Sequence, residues 1–119
     1  MYSRDLLIDK IVKGMQEKKG HDIVVVDLSP IVDTVCKAFV ICTGNSPSQI
    51  QALADSVSET VRKEAQSKPT AVDGLRQSMW VAMDYSDVIV HIFLKEMRDF
   101  YDLEHLWADA LLTEIPELD

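Results

Sequence analysis

Apolar residues recur at helical spacing near the start of the chain, where Leu7, Ile11 and Met15 form a stripe with Ile8 and Val12 beside it. Lys18-Lys19-Gly20 should end that helix, with cations at its negative pole and a glycine past its last turn. The period then changes. DIVVVDL (22–28) is a β-branched run of the kind found in buried strands, and AFVICT (38–43) is a second. Between them, residues 29–37 contain Pro30 and lose the alternation, which predicts a connection. Gly44-Asn45 turns the chain into Ser46-Pro47-Ser48-Gln49, a clear helix start. Serine suits the N-cap, proline the first turn, and glutamine the return arm of a capping box. Ile50, Leu53, Ala54, Val57, Val61 and Ala65 then share one face until Ser67-Lys68-Pro69.

A short edge strand over 70–72 is expected next. After Asp73-Gly74, WVAMDYSDVIVHIF (80–93) reads as a hairpin with Tyr85-Ser86 as its loop. One face holds Val81, Met83, Val88, Val90 and Ile92, which is plain core. The other holds Trp80, Ala82, Asp84, Asp87, Ile89, His91 and Phe93. A two-residue register sets Trp80 opposite His91, Ala82 opposite Ile89, and Asp84 opposite Asp87. A last helix is expected from about 96 to 112. The order predicts an α/β fold: a single domain over 1–119, with a mixed β-sheet flanked by helices. IVVV and AFVIC are apolar on both sides, so both faces of the sheet need cover, which the first two helices can provide.

Composition narrows the function. Apolar residues make up 47% and charged residues 27% of 119, which excludes a disordered chain. The net charge of −8 speaks against a large nucleic-acid footprint and favours a basic protein partner. Cys36 and Cys42 form no CxxC pair and read as free thiols in a reducing compartment. The N-terminal segment has no signal-peptide core, and no apolar run is long enough for a bilayer. A soluble, cytoplasmic protein with no membrane association is expected.

Candidate chemistry is thin. The turn Thr43-Gly44-Asn45-Ser46 could hold a phosphate on free helix N–H groups, but it lacks a P-loop lysine and a dinucleotide fingerprint. An enzymatic alternative is a nucleotide-binding or nucleotidyltransferase-like protein using this turn with Asp84 and Asp87. It needs those carboxylates to converge with the turn on magnesium. His21, His91 and His105 are scattered, so no metal, cofactor or catalytic set is read. Arg98 and Asp102 stand four apart and could pair on a helix. The hairpin's second face has two readings. Either the last helix covers it through Phe100, Tyr101, Leu103, Leu106 and Trp107, or it is a docking surface.

Taken together, DIVVVDLS, FVICTGNS with Gln49, Asp73-Gly74, WVAMDYSDVIVHIF and RDFYDLEHLW resemble the ribosomal silencing factor family, also called Iojap-like proteins. These pieces span about 22–107, leaving 108–119 as a C-terminal tail without a strong counterpart. The resemblance implies a nucleotidyltransferase-like topology without transferase activity or cofactor. It implies binding to the large ribosomal subunit through ribosomal protein L-fourteen, blocking subunit joining and lowering translation when nutrients are short. Little or no direct nucleic-acid contact is expected, and a homodimer of the free protein is a third reading. By position, Trp80 becomes the anchor, and Asp84, Tyr85 and Asp87 meet basic groups. His91, Arg98, Tyr101, Asp102 and Glu104 support or extend that surface, while Thr43, Gly44 and Ser46 fix a structural turn. Two departures stand out: Lys37-Ala38 replaces the family's usual Asp-Tyr, and Ser86 replaces the turn glycine.

Overall fold

The first helix, α1 (Arg4–Glu17), buries Leu7, Ile11, Gly14 and Met15 along the expected stripe. That stripe lies against the second, α2 (Pro47–Ala65), and the two approach closely at Gly14. A Cβ there would stand 2.8 Å from the Val57 Cα, while the Ser56 hydroxyl donates to the Gly14 carbonyl at 2.7 Å. The cap of α2 forms as its sequence requires, with the Gln49 N–H donating to Ser46 Oγ at 3.1 Å. The return arm differs. Gln49 Oε1 accepts from the Asn45 N–H (2.6 Å), and its Nε2 donates to the Lys18 and Lys19 carbonyls. One side chain thus closes the start of α2 and the end of α1. The computed structural model describes residues 4–32, 34 and 36–118.

Among the described residues, six strands occur in chain order: β1 (His21–Asp27), β2 (Ala38–Gly44), β3 (Ala71–Asp73), β4 (Trp80–Asp84), β5 (Val88–Leu94) and β6 (Leu111–Glu114). They form one mixed sheet in the order β3-β4-β5-β2-β1-β6, in which β2 and β5 run parallel and the other neighbours antiparallel. The α/β architecture is the expected one, but its cover is not. Both α1 and α2 pack on the same face, over Val40, Cys42, Val81, Met83, Val88, Val90 and Ile92. The opposite face buries Val24, Val26, Leu28, Cys36, Phe39, Ile41 and Phe93 beneath Ile31, Met97, Leu103, Trp107 and Ala110. Its roof is therefore Ile31 of the connection after β1, with the segment after β5.

That last segment is not one helix. A third helix, α3 (Lys95–Tyr101), ends after seven residues because Asp102 turns left-handed (φ 46), its N–H donating to the Arg98 carbonyl at 2.8 Å. A 3₁₀ turn over Leu103–His105 follows. The tail then becomes β6, whose four side chains are exposed while its backbone pairs with β1. Edge pairing outweighs the helical period of LEHLWADALL, since β1 offers a full row of partners.

The hairpin also differs in register. The Tyr85 N–H donates to the Val88 carbonyl at 2.9 Å, so the loop is Ser86-Asp87 rather than Tyr85-Ser86. Trp80 pairs with Phe93, Ala82 with His91, and Asp84 with Ile89. The shift is two residues, so the side chains of the two strands keep their expected faces. Tyr85 is the exception. It falls on the helix-side core with 4% exposure and cannot meet a partner, as the expected loop position required. Ser86 holds φ 73, the Asp87 N–H donates to the Tyr85 carbonyl (3.0 Å), and Asp84 Oδ1 accepts from the Ser86 N–H (2.7 Å). Serine strains at this angle and glycine does not. Ser86→Gly is expected to raise stability by about 1 kcal/mol in urea denaturation; an unchanged or lower midpoint would show that the turn tolerates serine without strain.

Candidate functional site

The sheet face away from α1 and α2 carries a cluster of rings. Trp80 (β4) stacks on Phe93 (β5) at 4.9 Å and meets Tyr101 at the end of α3 at 4.8 Å. Its Nε1–H donates to His91 Nδ1 at 3.0 Å. His91 in turn stands edge-on to Phe39 at 5.0 Å, and Phe39 meets Trp107 at 5.2 Å. The two sequence readings of this face are each half met. Leu103 and Trp107 roof Phe39 and Ile41, whereas Phe100 and Leu106, expected as cover, are 79% and 63% exposed. Trp80 is left half-buried at the margin, beside the exposed Tyr101. Phe100, expected only as cover, lies exposed against Tyr101 at 5.1 Å; a single apolar residue is ordinary on a surface and gives little signal.

A buried ion pair holds the segment that bears these rings. Arg98 donates to both carboxylate oxygens of Glu104 (3.2 and 2.6 Å), to the Asp22 carbonyl (2.6 Å) and to Thr43 Oγ1 (2.9 Å). Both charged residues are only 9% exposed. Arg98 and Glu104 therefore clamp the 102–105 turn onto β1 and β2; of the two expected roles, supporting or extending the surface, their burial leaves only the first. The predicted Arg98–Asp102 pair does not form. Asp102 has left the helical geometry that the pairing needs, and it meets His105 instead. Thr43 serves the clamp, Ser46 caps α2, and Gly44 lies under Ile50.

Asp84 is half-buried and tied to its own turn, and Asp87 is exposed beside it. The Asp87 carbonyl accepts from the N–H groups of Lys37 (2.7 Å) and Ala38 (3.1 Å). Asp84 pairs with Ile89, so the directly opposed Asp84–Asp87 pair does not occur. The parallel pairing of β2 and β5 sets Ala38 beside Val88 and Gly44 beside Leu94. The aspartates and the 43–46 turn consequently lie at opposite ends of the sheet, separated by six strand steps or roughly 20 Å. The convergence required by a nucleotidyltransferase-like site is contradicted.

His91 is 7% exposed, and burial pushes its pKa down from 6.5 to about 4. Its unfolded form takes up a proton below about pH 6.5, while the folded form resists until about pH 4. Stability is thus expected to fall as pH drops through that window and to level off below it. Urea midpoints between pH 7.5 and 4 should show this slope, and His91→Leu should flatten it. An equal slope in the variant would assign the dependence to other groups.

Among the described residues, no helix is long and apolar enough to cross a membrane. Comparison with known proteins adds to the geometry. The family model described as ribosomal silencing factor during starvation matches residues 2–119. A ribosomal silencing factor of Halalkalibacterium halodurans is 34% identical over 113 residues, covering 95% of each chain. The crystal structure of a Chromobacterium violaceum protein superposes with a TM-score of 0.83 at 32% identity, covering 89% of this chain and 87% of that one. A Mus musculus protein, named for mitochondrial assembly of the ribosomal large subunit, is 26% identical over 103 residues, covering 85% of this chain and 45% of its own length.

Proposed function

This chain belongs to the ribosomal silencing factor family, and from that premise we propose that it docks on the large ribosomal subunit through ribosomal protein L-fourteen and blocks joining of the small subunit. The observation that carries the reading is Trp80, gripped by Phe93, Tyr101 and His91 yet only half-buried. Rigid aromatic side chains with one open face are the usual anchors of protein interfaces. Tyr101 and Phe100 widen the apolar patch and Asp102 adjoins them, while Asp84 and Asp87 carry negative charge at the far end of the same hairpin. That combination suits a basic protein surface and repels phosphate. The mechanism is steric: a small domain occupies the surface that a bridge between subunits requires. It needs no catalytic group and no cofactor, and it operates in the cytoplasm where subunits meet.

Sedimentation tests the proposal. The protein is expected to travel with purified bacterial large subunits and to lower the yield of joined ribosomes in a reconstituted mixture. Co-migration with small subunits alone, or none at physiological salt, would overturn it. Co-migration without any effect on joining would retain the docking and remove the steric block.

A further inference from the structure

We infer that His91 is the positioning residue of this face: its imidazole sets the orientation of the Trp80 indole, and that role accounts for a polar ring buried in β5. The inference rests on the reading of Trp80 as the anchor. An indole N–H can only donate, so His91 Nδ1 accepts and the proton of the neutral imidazole sits on Nε2. That nitrogen is buried and has no hydrogen-bond partner among the described residues. Rings of Phe39 and Phe93 and the small side chain of Ala82 surround the imidazole. An apolar residue of similar volume would fill the same space without stranding a donor.

Stability alone therefore does not explain a histidine here. The hydrogen bond it does make goes to the half-buried ring of the face. Phe93 stacks on that ring at 4.9 Å and Tyr101 meets it at a tilt at 4.8 Å, and such contacts restrain tilt more than rotation within the plane. The outer torsion of tryptophan has two broad wells, and a flipped indole would carry Nε1 away from His91. A directional bond at one edge selects between them. Histidine supplies an acceptor at that spot without bringing a formal charge beneath the anchor.

The test compares wild type, His91→Leu, His91→Gln and Trp80→Ala for affinity to purified bacterial large ribosomal subunits. Urea midpoints and the Trp80 indole N–H resonance are read in parallel. His91→Leu is expected to match or exceed wild-type stability, to move that resonance upfield with faster exchange, and to weaken binding about tenfold. His91→Gln, whose amide oxygen can accept, should recover part of the affinity. If His91→Leu binds normally while Trp80→Ala binds poorly, the histidine does not position the ring, though the docking face stands. Loss of folding or stability in His91→Leu that accounts for its weaker binding makes the role structural and overturns the inference. Normal binding by Trp80→Ala removes the docking face and the inference with it.

Discussion

Glu104→Ala should lower the stability of the fold by about 3–5 kcal/mol, read as a shift of the urea midpoint. The expected loss is large because the remaining group is a charge. Without Glu104, the Arg98 guanidinium stays buried with only the Asp22 carbonyl and Thr43 Oγ1 as acceptors. Water cannot replace the carboxylate unless the 102–105 turn lifts away, which would release Leu103 and Trp107 from Phe39 and Ile41. A double variant, Arg98→Met with Glu104→Leu, separates the causes. Removing both charges should recover most of the loss, since an apolar pair of similar volume is often neutral in such places. If the single variant costs less than about 1 kcal/mol, the pair behaves as a solvated surface contact and the clamp is wrong.

Trp80→Ala should weaken binding to large ribosomal subunits by about 2 kcal/mol or more, roughly thirtyfold, while the protein stays folded. The fold should survive because the neighbours of Trp80 on β4, Val81 and Met83, carry the helix-side core from the opposite face. The ring that loses most cover is Phe93, now fully buried beneath the indole. A modest stability loss is therefore part of the expectation, smaller than that of a central core truncation. Equilibrium binding by sedimentation, with the denaturation midpoint as control, decides the matter. A folded variant with wild-type affinity would move the interface elsewhere on the molecule.

Much of the fold was legible in the sequence because its strongest signals are local. The Ser46-Pro47-Gln49 start fixes α2 through its own backbone, and the stripe of Leu7, Ile11 and Met15 fixes the buried side of α1. The faces of β4 and β5 were readable too, since a register error of two leaves the alternation intact. What was not legible depends on distant partners. Nothing local in LEHLWADALL announces that an open strand edge waits at β1. Arg98 and Glu104 are six apart, a spacing that brings side chains together on no regular element, and they meet only because Asp102 reverses the backbone. Tyr85 was misplaced for a simpler reason. Moving the loop by one residue turned a core tyrosine into a presumed contact.

The candidate site was legible in part for the same reason. Trp80 and Tyr101 stand where the hairpin and the following helix were expected to bring them, with His91 beneath. The division between residues that display the surface and residues that brace it required three dimensions. Arg98, Glu104 and His91 carry the polar groups that a sequence reading assigns to contact. All three have those groups turned inward.

The sheet order bears on how the molecule is made. Strand β6 pairs with β1, so β1 is translated well before the strand that fills its outer edge. During synthesis the segment through α2 already holds α1, β1, β2 and α2, but β1 remains an open template. Ile115, which packs against the helix-side core, arrives later still. The nascent chain thus spends its assembly with a sticky flank. The exposed, partly polar Leu111–Glu114 segment acts as a selvedge, the finished margin that stops the cloth from unravelling or catching on its neighbour.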